Sequence, residues 1–351
     1  MSTKTFLDTL MPGAPKEVRE RLVTSDETTD ALSASLPAQP AGEPNGFEDR
    51  SNAVLSFDNG TRTLTITGTY TVWSDGKRFN KSGDTFQIED REGAHFIYYD
   101  ETGQLTETDS FDVDLITRFA FVAYVSWDAA NQVPVPGVIC EQHGSSMASA
   151  THSYLHNTVG TKYQSGMSFS VPSVASSGND DADAQIVCTA GVMWDEDIRH
   201  SVVAHGQTDN IPVIYKDGAD GNWRVDASTS FPVLTTGTGR AAYNQNTGGT
   251  AWTQTEVANN DYVLAHIYAF PGITPSAGYF VAVQGQGDYA TLGAARDGAD
   301  TELASLDLSG LPSVEFVPVA TIILQTGDGK SNAVKSSIER TASGDDFVSW
   351  L

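Results

Sequence analysis

From residue 47 onward, short apolar runs alternate with clusters of turn-forming residues. Ala53, Leu55 and Phe57 share one face of a first strand, and Leu64, Ile66, Gly68 and Tyr70 alternate with threonines in the next. Asp58-Asn59-Gly60-Thr61 between them reads as a hairpin turn. Asp75-Gly76 closes a second hairpin in TVWSDGKRF, and DTFQIED with HFIYYDETGQL predicts a third pair. In RFAFVAYVSWD, apolar residues fall on both faces, which predicts a central strand covered on both sides. The pattern then changes. ASATHSYLHNT, residues 148–158, is the strongest helix candidate, and DGADTELASLDL is a second, shorter one. Strand candidates fill most of the rest, among them SFSVPSV, AQIVCTAGVMWD, IPVIYK, NWRVDA, FPVLT, YVLAHIYAF, GYFVAVQG and FVPVATIILQT. Their turn-separated spacing is that of sandwiches and jelly rolls.

The predicted fold is therefore mainly β. An extended or helical N-terminal arm (1–46) precedes a small antiparallel β domain (47–139). A short helical connector rich in histidine (140–160) leads into a jelly-roll-like C-terminal β-sandwich (161–351). The arm differs from the rest: it holds five prolines, Pro12, Pro15, Pro37, Pro40 and Pro44, and almost no β-branched alternation. Pro15 suits the first turn of a short helix, and Thr24 with Glu27 forms a capping box for another. Such a segment buries little of itself. It is either an unfolded tail or an attachment arm that orders on a neighbouring protein, with Phe6, Leu7, Leu10, Val18 and Leu22 as the contacts.

Charge narrows the partners. With 45 acidic and 20 basic residues, the net charge is −25, the wrong sign for neutralising phosphates or an anionic bilayer. Nucleic acid and membrane insertion are thus not expected, and no apolar run reaches the ~20 residues of a membrane span. The N-terminus MSTKTFLDTL lacks a signal-peptide core, which predicts synthesis in a cytoplasm. Cys140 and Cys188 both lie in apolar contexts and read as buried, reduced thiols.

Candidate chemistry concentrates in CEQHGSSMASATHSYLH. His143, His152 and His156, three of seven histidines, lie within 16 positions of Glu141. His152 and His156 fall at i and i+4 of the predicted helix, a spacing at which two imidazoles can hold one metal, with an acidic residue completing the shell. The intervening residues are not those of H-E-x-x-H, so no hydrolytic base is implied. The same histidines also suit a packed helix or a subunit interface. Asn179–Asp183, Asp195-Glu196-Asp197 and Asp217–Asn222 read as loops able to solvate their carboxylates or to bind a hard cation. No nucleophile elbow, phosphate loop or dinucleotide fingerprint is present, and neither an enzyme nor a cofactor, beyond a structural metal, is expected. Trp194, Trp223, Trp252, Tyr243, Tyr262 and Tyr279 are core residues if buried and sugar-stacking candidates if exposed.

The order of these segments (FEDRSNAVLSFDNGTRTLTI, DLITRFAFVAYVSWD, the histidine stretch, then a long β region closing on LPSVEFVPVATIILQTGDG) resembles virion structural proteins of tailed phages over residues 47–351. The resemblance implies a tail fibre, spike or receptor-binding subunit, homotrimeric, docked on other virion proteins through residues 1–46 and projecting its β-sandwich towards a host glycan or protein. A capsid turret, head fibre or decoration protein is the alternative within that class. A carbohydrate-binding module or polysaccharide hydrolase is the alternative outside it.

Overall fold

The computed structural model describes residues 44–174 and 176–351. The helical pieces expected in the arm, and the attachment residues Phe6, Leu7, Leu10, Val18 and Leu22, lie outside the described residues. Pro44–Leu351 forms a single compact unit, mainly β, built as a stack of sheets.

The first layer contains two small antiparallel sheets. Val54–Asp58 pairs with Thr63–Thr67 as expected, and the Asp58 carboxylate closes the turn by accepting from the Thr61 amide at 2.7 Å. Asp75 and Gly76, at φ 52° and 70°, turn Tyr70–Ser74 back onto Lys77–Lys81. Two expectations fail here. TLTITGTYTVW is not one strand: it breaks at Gly68 (φ +102°), where a Cβ would sit 2.0 Å from the Asn52 carbonyl oxygen, and its halves join different sheets. Asp84–Gln87 pairs with Thr63–Thr67 and not with the HFIYY strand.

The second layer is an antiparallel sheet in the order Val133–Cys140, Ala120–Asp128, Gly93–Tyr99, Leu105–Thr108. Every residue of Ala120–Asp128 is buried, in line with its two apolar faces. Ala123, Val125 and Trp127 pack towards the first layer with Leu64, Ile66 and Tyr99. Phe121 and Tyr124 point the other way.

The third layer is a seven-stranded mixed sheet whose central strands are Tyr279–Tyr289, Tyr262–Phe270 and Val317–Thr326. Its one parallel pair joins Val213–Asp217 to Tyr279–Tyr289. Alternation along YVLAHIYAF sorts the faces. Tyr268 and Phe270 meet Phe121, Tyr124 and Ile139 of the second layer, making a shared core. Val263, Ala265, Ile267 and Ala269 face a separate core closed by Met167, Ile186, Phe231 and Val257.

Three α-helices complete the unit among the described residues. Helix α1 (Asp114–Thr117) was not apparent in the sequence. Helix α2 (Ser149–Thr158) is the expected histidine helix, and α3 (Leu292–Ser305) is a full helix where a short one was expected; Ala295 and Ala299 seat α3 on Leu264 and Ile323. SFSVPSV and FPVLT are mostly irregular; only Phe169–Ser170 and Thr235–Thr236 pair as strands.

Candidate metal centre

The chain leaves Val133–Cys140 with Glu141 and His143 pointing inwards. This exit is pinned by backbone. The Phe47 amide donates to the His143 carbonyl at 2.8 Å, and Ser145 returns a bond to Phe47 at 2.9 Å. Gly46 (φ +97°) allows that approach, because a Cβ there would lie 2.5 Å from the His143 oxygen. Helix α2 then brings His152 beside His143, ring centroids 4.3 Å apart, and stacks His156 on Phe111 at 5.2 Å.

The other half of the site comes from a hairpin. Gly191–Asp195 and Ile198–Val202 are joined by Glu196 and Asp197, and Glu196 takes φ 41° to make the turn. The carboxylates of Asp195 and Glu196 do not face water. The tip folds onto His143, so that Asp195 is fully buried and the Glu196 side chain is 1% exposed. Glu315, at the entry to Val317–Thr326, arrives from the third layer and is 2% exposed. Residues from three distant parts of the chain thus converge on one interior point.

His143 organises them. Its Nδ1 meets Asp197 Oδ1 at 2.8 Å, and the other Asp197 oxygen accepts from the Gly144 amide (3.0 Å) and from Arg50 (2.9 Å). A carboxylate behind an imidazole fixes the ring and raises the basicity of the opposite nitrogen. That nitrogen, Nε2, lies 3.5 Å from Glu141 Oε2, 3.7 Å from Asp195 Oδ2 and 3.7 Å from Glu196 Oε2. These are long for hydrogen bonds. The Glu141 distance matches, and the other two slightly exceed, the roughly 3.3–3.6 Å between ligand atoms that share a cation at bonds of about 2.0–2.2 Å. The groups Glu141–His143–Asp195 and His143–His152–Glu196 each gather their ligand atoms within 4.8 Å.

Hydrogen bonding points the same way. Asp195 Oδ2, both Glu196 oxygens and His152 Nε2 are buried with no hydrogen-bond partner among the described residues. Leaving such groups unpaired costs about 1–3 kcal/mol each, more when charged. Burial pushes the Asp195 and Glu315 carboxyls well above their ordinary range, and Glu196 above it too. Burial also drives His152 down to about 2. Burial would lift Asp197 as well, but the His143 hydrogen bond and charge and nearby Arg50 outweigh it and hold Asp197 at about 2. Desolvation pulls His143 down and is overcome by its hydrogen bond to Asp197 and by the nearby Glu141 and Asp195 carboxylates, so its net direction is upward.

The three histidines singled out in the sequence are therefore brought together, with Glu141. The Asp195-Glu196-Asp197 run, expected in a loop, is the other wall. Glu315, Arg50 and His200, a fully buried neighbour held down at about 4 by burial and the fields of His143 and Arg50, were not singled out. The remaining acidic runs serve local structure. Asp180 and Asp183 cap the short helix Asp181–Ala184, and Asp217–Asn222 is a hairpin turn.

Cys140 lies against this centre but is fully buried, and burial lifts its thiol to about 12, as it does that of Cys188. Both thiols are expected to resist a thiol-reactive disulfide reagent in the native protein and to react on unfolding; rapid native labelling of Cys140 would contradict this packing. The aromatic residues considered for sugar stacking divide. Trp223 and Trp252 are 6% and 7% exposed, with Lys216 Nζ 5.3 and 5.5 Å from their ring centroids, so the cation occupies the faces a sugar would need. Trp194 is exposed.

No family model matches the chain, and no curated protein or solved structure matches it either. Among the described residues no helix is long and apolar enough to cross a membrane.

Proposed function

We propose that this chain is a metal-stabilised structural protein, whose buried centre holds a divalent cation between Glu141, His143, His152, Asp195 and Glu196. The observation that carries this reading is the set of buried, unpartnered ligand atoms on Asp195, Glu196 and His152, which fall into two close groups sharing His143: Glu141–His143–Asp195 and His143–His152–Glu196. Mixed imidazole and carboxylate donors suit zinc, manganese or iron(II) better than calcium or magnesium, which prefer oxygen alone. The cation would tie the end of the second layer, helix α2 and the 195–197 hairpin into one piece. Because these segments are far apart in sequence, the tie restricts the unfolded chain strongly. Elemental analysis of the purified full chain, with calorimetric titration of Zn²⁺ and Mn²⁺ into chelator-treated protein, tests the reading. Micromolar or tighter binding is expected; no binding of any transition metal would overturn it.

For the wider role we propose a subunit of a tailed-virus particle, a fibre, spike or receptor-binding protein docked by residues 1–46. The support is the order of segments along the chain, together with a layered β body suited to a rigid projection. Labelled protein, with and without residues 1–46, should bind candidate host cells saturably in both forms. If neither form binds while the full chain binds particles, the turret or decoration reading replaces the fibre reading.

A further inference from the structure

A cavity of about 420 Å³ opens beside helix α2, a volume within the range of small-molecule sites. Its mouth is exposed and its floor is not. Phe111 and Asn157 stand at the surface, whereas Glu141, Glu315, Phe121 and Tyr124 at the inner end are all buried. The walls are rings. The Phe96 centroid lies 5.0 Å from that of Tyr124, 6.1 Å from Phe121 and 6.0 Å from Phe111. The Tyr124 hydroxyl already donates to the Gly310 carbonyl at 3.0 Å, so this residue offers a ligand its ring.

The polar end of the cavity carries one sign. No Lys or Arg lines it, and two carboxyls, Glu141 and Glu315, stand at its base. Glu141 belongs to the metal set proposed above; Glu315 does not. Thr161 Oγ1 donates to Glu315 Oε2 at 3.0 Å, but Oε1 faces only His156 Nδ1 at 3.5 Å, long for a hydrogen bond. No Lys or Arg pairs with Glu315 among the described residues. A carboxylate buried without a counter-charge is strongly unfavourable, and a cation entering the cavity relieves it. The walls say which kind. They offer a metal ion aromatic carbon in place of further ligand atoms, but ring faces attract an organic cation and apolar surface holds its body. Because Thr161 already occupies Oε2, a single N–H donor fits Oε1 better than the two-pronged fork of a guanidinium.

We propose that this cavity binds a primary ammonium ligand with an apolar, arene-sized body: the ammonium donates to Glu315 Oε1 at the floor, and the body lies among Phe96, Phe111 and Phe121. The site stands apart from the metal centre, since neither Glu315 nor the rings belong to the metal set, and its test is run with and without metal.

Phenethylammonium chloride is titrated calorimetrically into the full chain, once metal-loaded and once chelator-stripped, beside 2-phenylethanol, a neutral analogue of the same shape. Saturable binding of the amine with Kd below about 1 mM is expected in at least one form. The alcohol should bind about tenfold more weakly, because it cannot supply a charge-assisted hydrogen bond. Glu315→Gln, which keeps the size of the side chain and removes its charge, should bring the amine down to the level of the alcohol. Phe111→Ala, at the exposed mouth, should weaken both ligands alike. Circular dichroism checks that the variants are folded; if Glu315→Gln is not, the ratio of amine to alcohol affinity in the wild type decides. No binding of the amine in either form, equal affinity for amine and alcohol, or an amine affinity unchanged in folded Glu315→Gln overturns the proposal. Amine binding by a chain that takes up no metal supports this site and overturns only the metal centre.

Discussion

Chelator treatment is expected to lower the melting temperature by about 5–15 °C at neutral pH, with full recovery on adding back the cation. A ligand at 100–1,000 times its Kd adds about 2.7–4.1 kcal/mol to folding, and each kcal/mol moves the midpoint of a domain this size by roughly 2–4 °C. Substitution of Asp195 makes the prediction specific. In stripped protein burial favours the protonated form of its carboxyl, raising it well above the ordinary carboxylate range. Asn at this position is neutral at every pH. Asp195→Asn should therefore leave stripped protein as stable as the wild type or more so, while removing most of the gain from metal. A residue with a purely structural role would lose stability in both forms.

The pH dependence follows with its sign. Asp195, Glu196 and Glu315 have folded values raised above unfolded ones, chiefly by burial. Their contribution in stripped protein is complete below about pH 4 and is lost as the pH rises through the raised values. His143, also raised, adds a loss above its ordinary value of 6.5. Metal replaces these protons, so its affinity grows with pH. The gap in melting temperature between loaded and stripped protein should widen from about pH 5 to about pH 8. Buried His200 works the other way in both forms: its depressed value means stability present above 6.5 and lost as the pH falls towards about 4. A gap that narrows with rising pH would contradict cation binding by these carboxylates.

Much of this was legible in the sequence, but in separate pieces. Period-two alternation marked the strands around Phe121 and Ile267, and the i, i+4 histidines marked one wall of the centre. The other wall was visible only as three consecutive acids, which by composition belong in a solvated turn. Nothing local says that a hairpin tip will turn inwards; that depends on where Gly191–Asp195 and Ile198–Val202 sit against the His143 segment. Glu196 carried a weak signal, since a tight turn without Gly or Asn forces an ordinary residue to φ 41°. Glu315 carried another: a lone acid in the apolar stretch LPSVEFVPV must be neutralised, hydrogen-bonded or paired if it is buried. Strand partners were hidden for a related reason. Gly68 fits the alternation of its strand, and only its contact with Asn52 shows that the strand must break there.

Phe270→Ala should destabilise the protein by about 3–5 kcal/mol and also weaken the metal centre. Phe270 is 1% exposed and stands between the second and third layers, its ring 5.1 Å from Phe316 and 5.3 Å from Tyr279. Removing it leaves a cavity that the surrounding strands close only in part. Phe316 loses its support, and Ile139, in the same core and two residues before Glu141, loses a packing neighbour that fixes the strand end carrying that ligand. Affinity for the cation set should fall by about tenfold, equivalent to roughly 1.4 kcal/mol. Ile267→Ala is the control. Ile267 lies on the same strand, is as deeply buried, and faces the opposite core. It should cost about 2–5 kcal/mol in unfolding experiments and leave cation affinity unchanged. Titrating Mn²⁺ into both stripped variants compares them directly. Equal affinities would mean that Glu141 is positioned independently of the core between the layers, and that the link between packing and metal drawn through Ile139 does not hold.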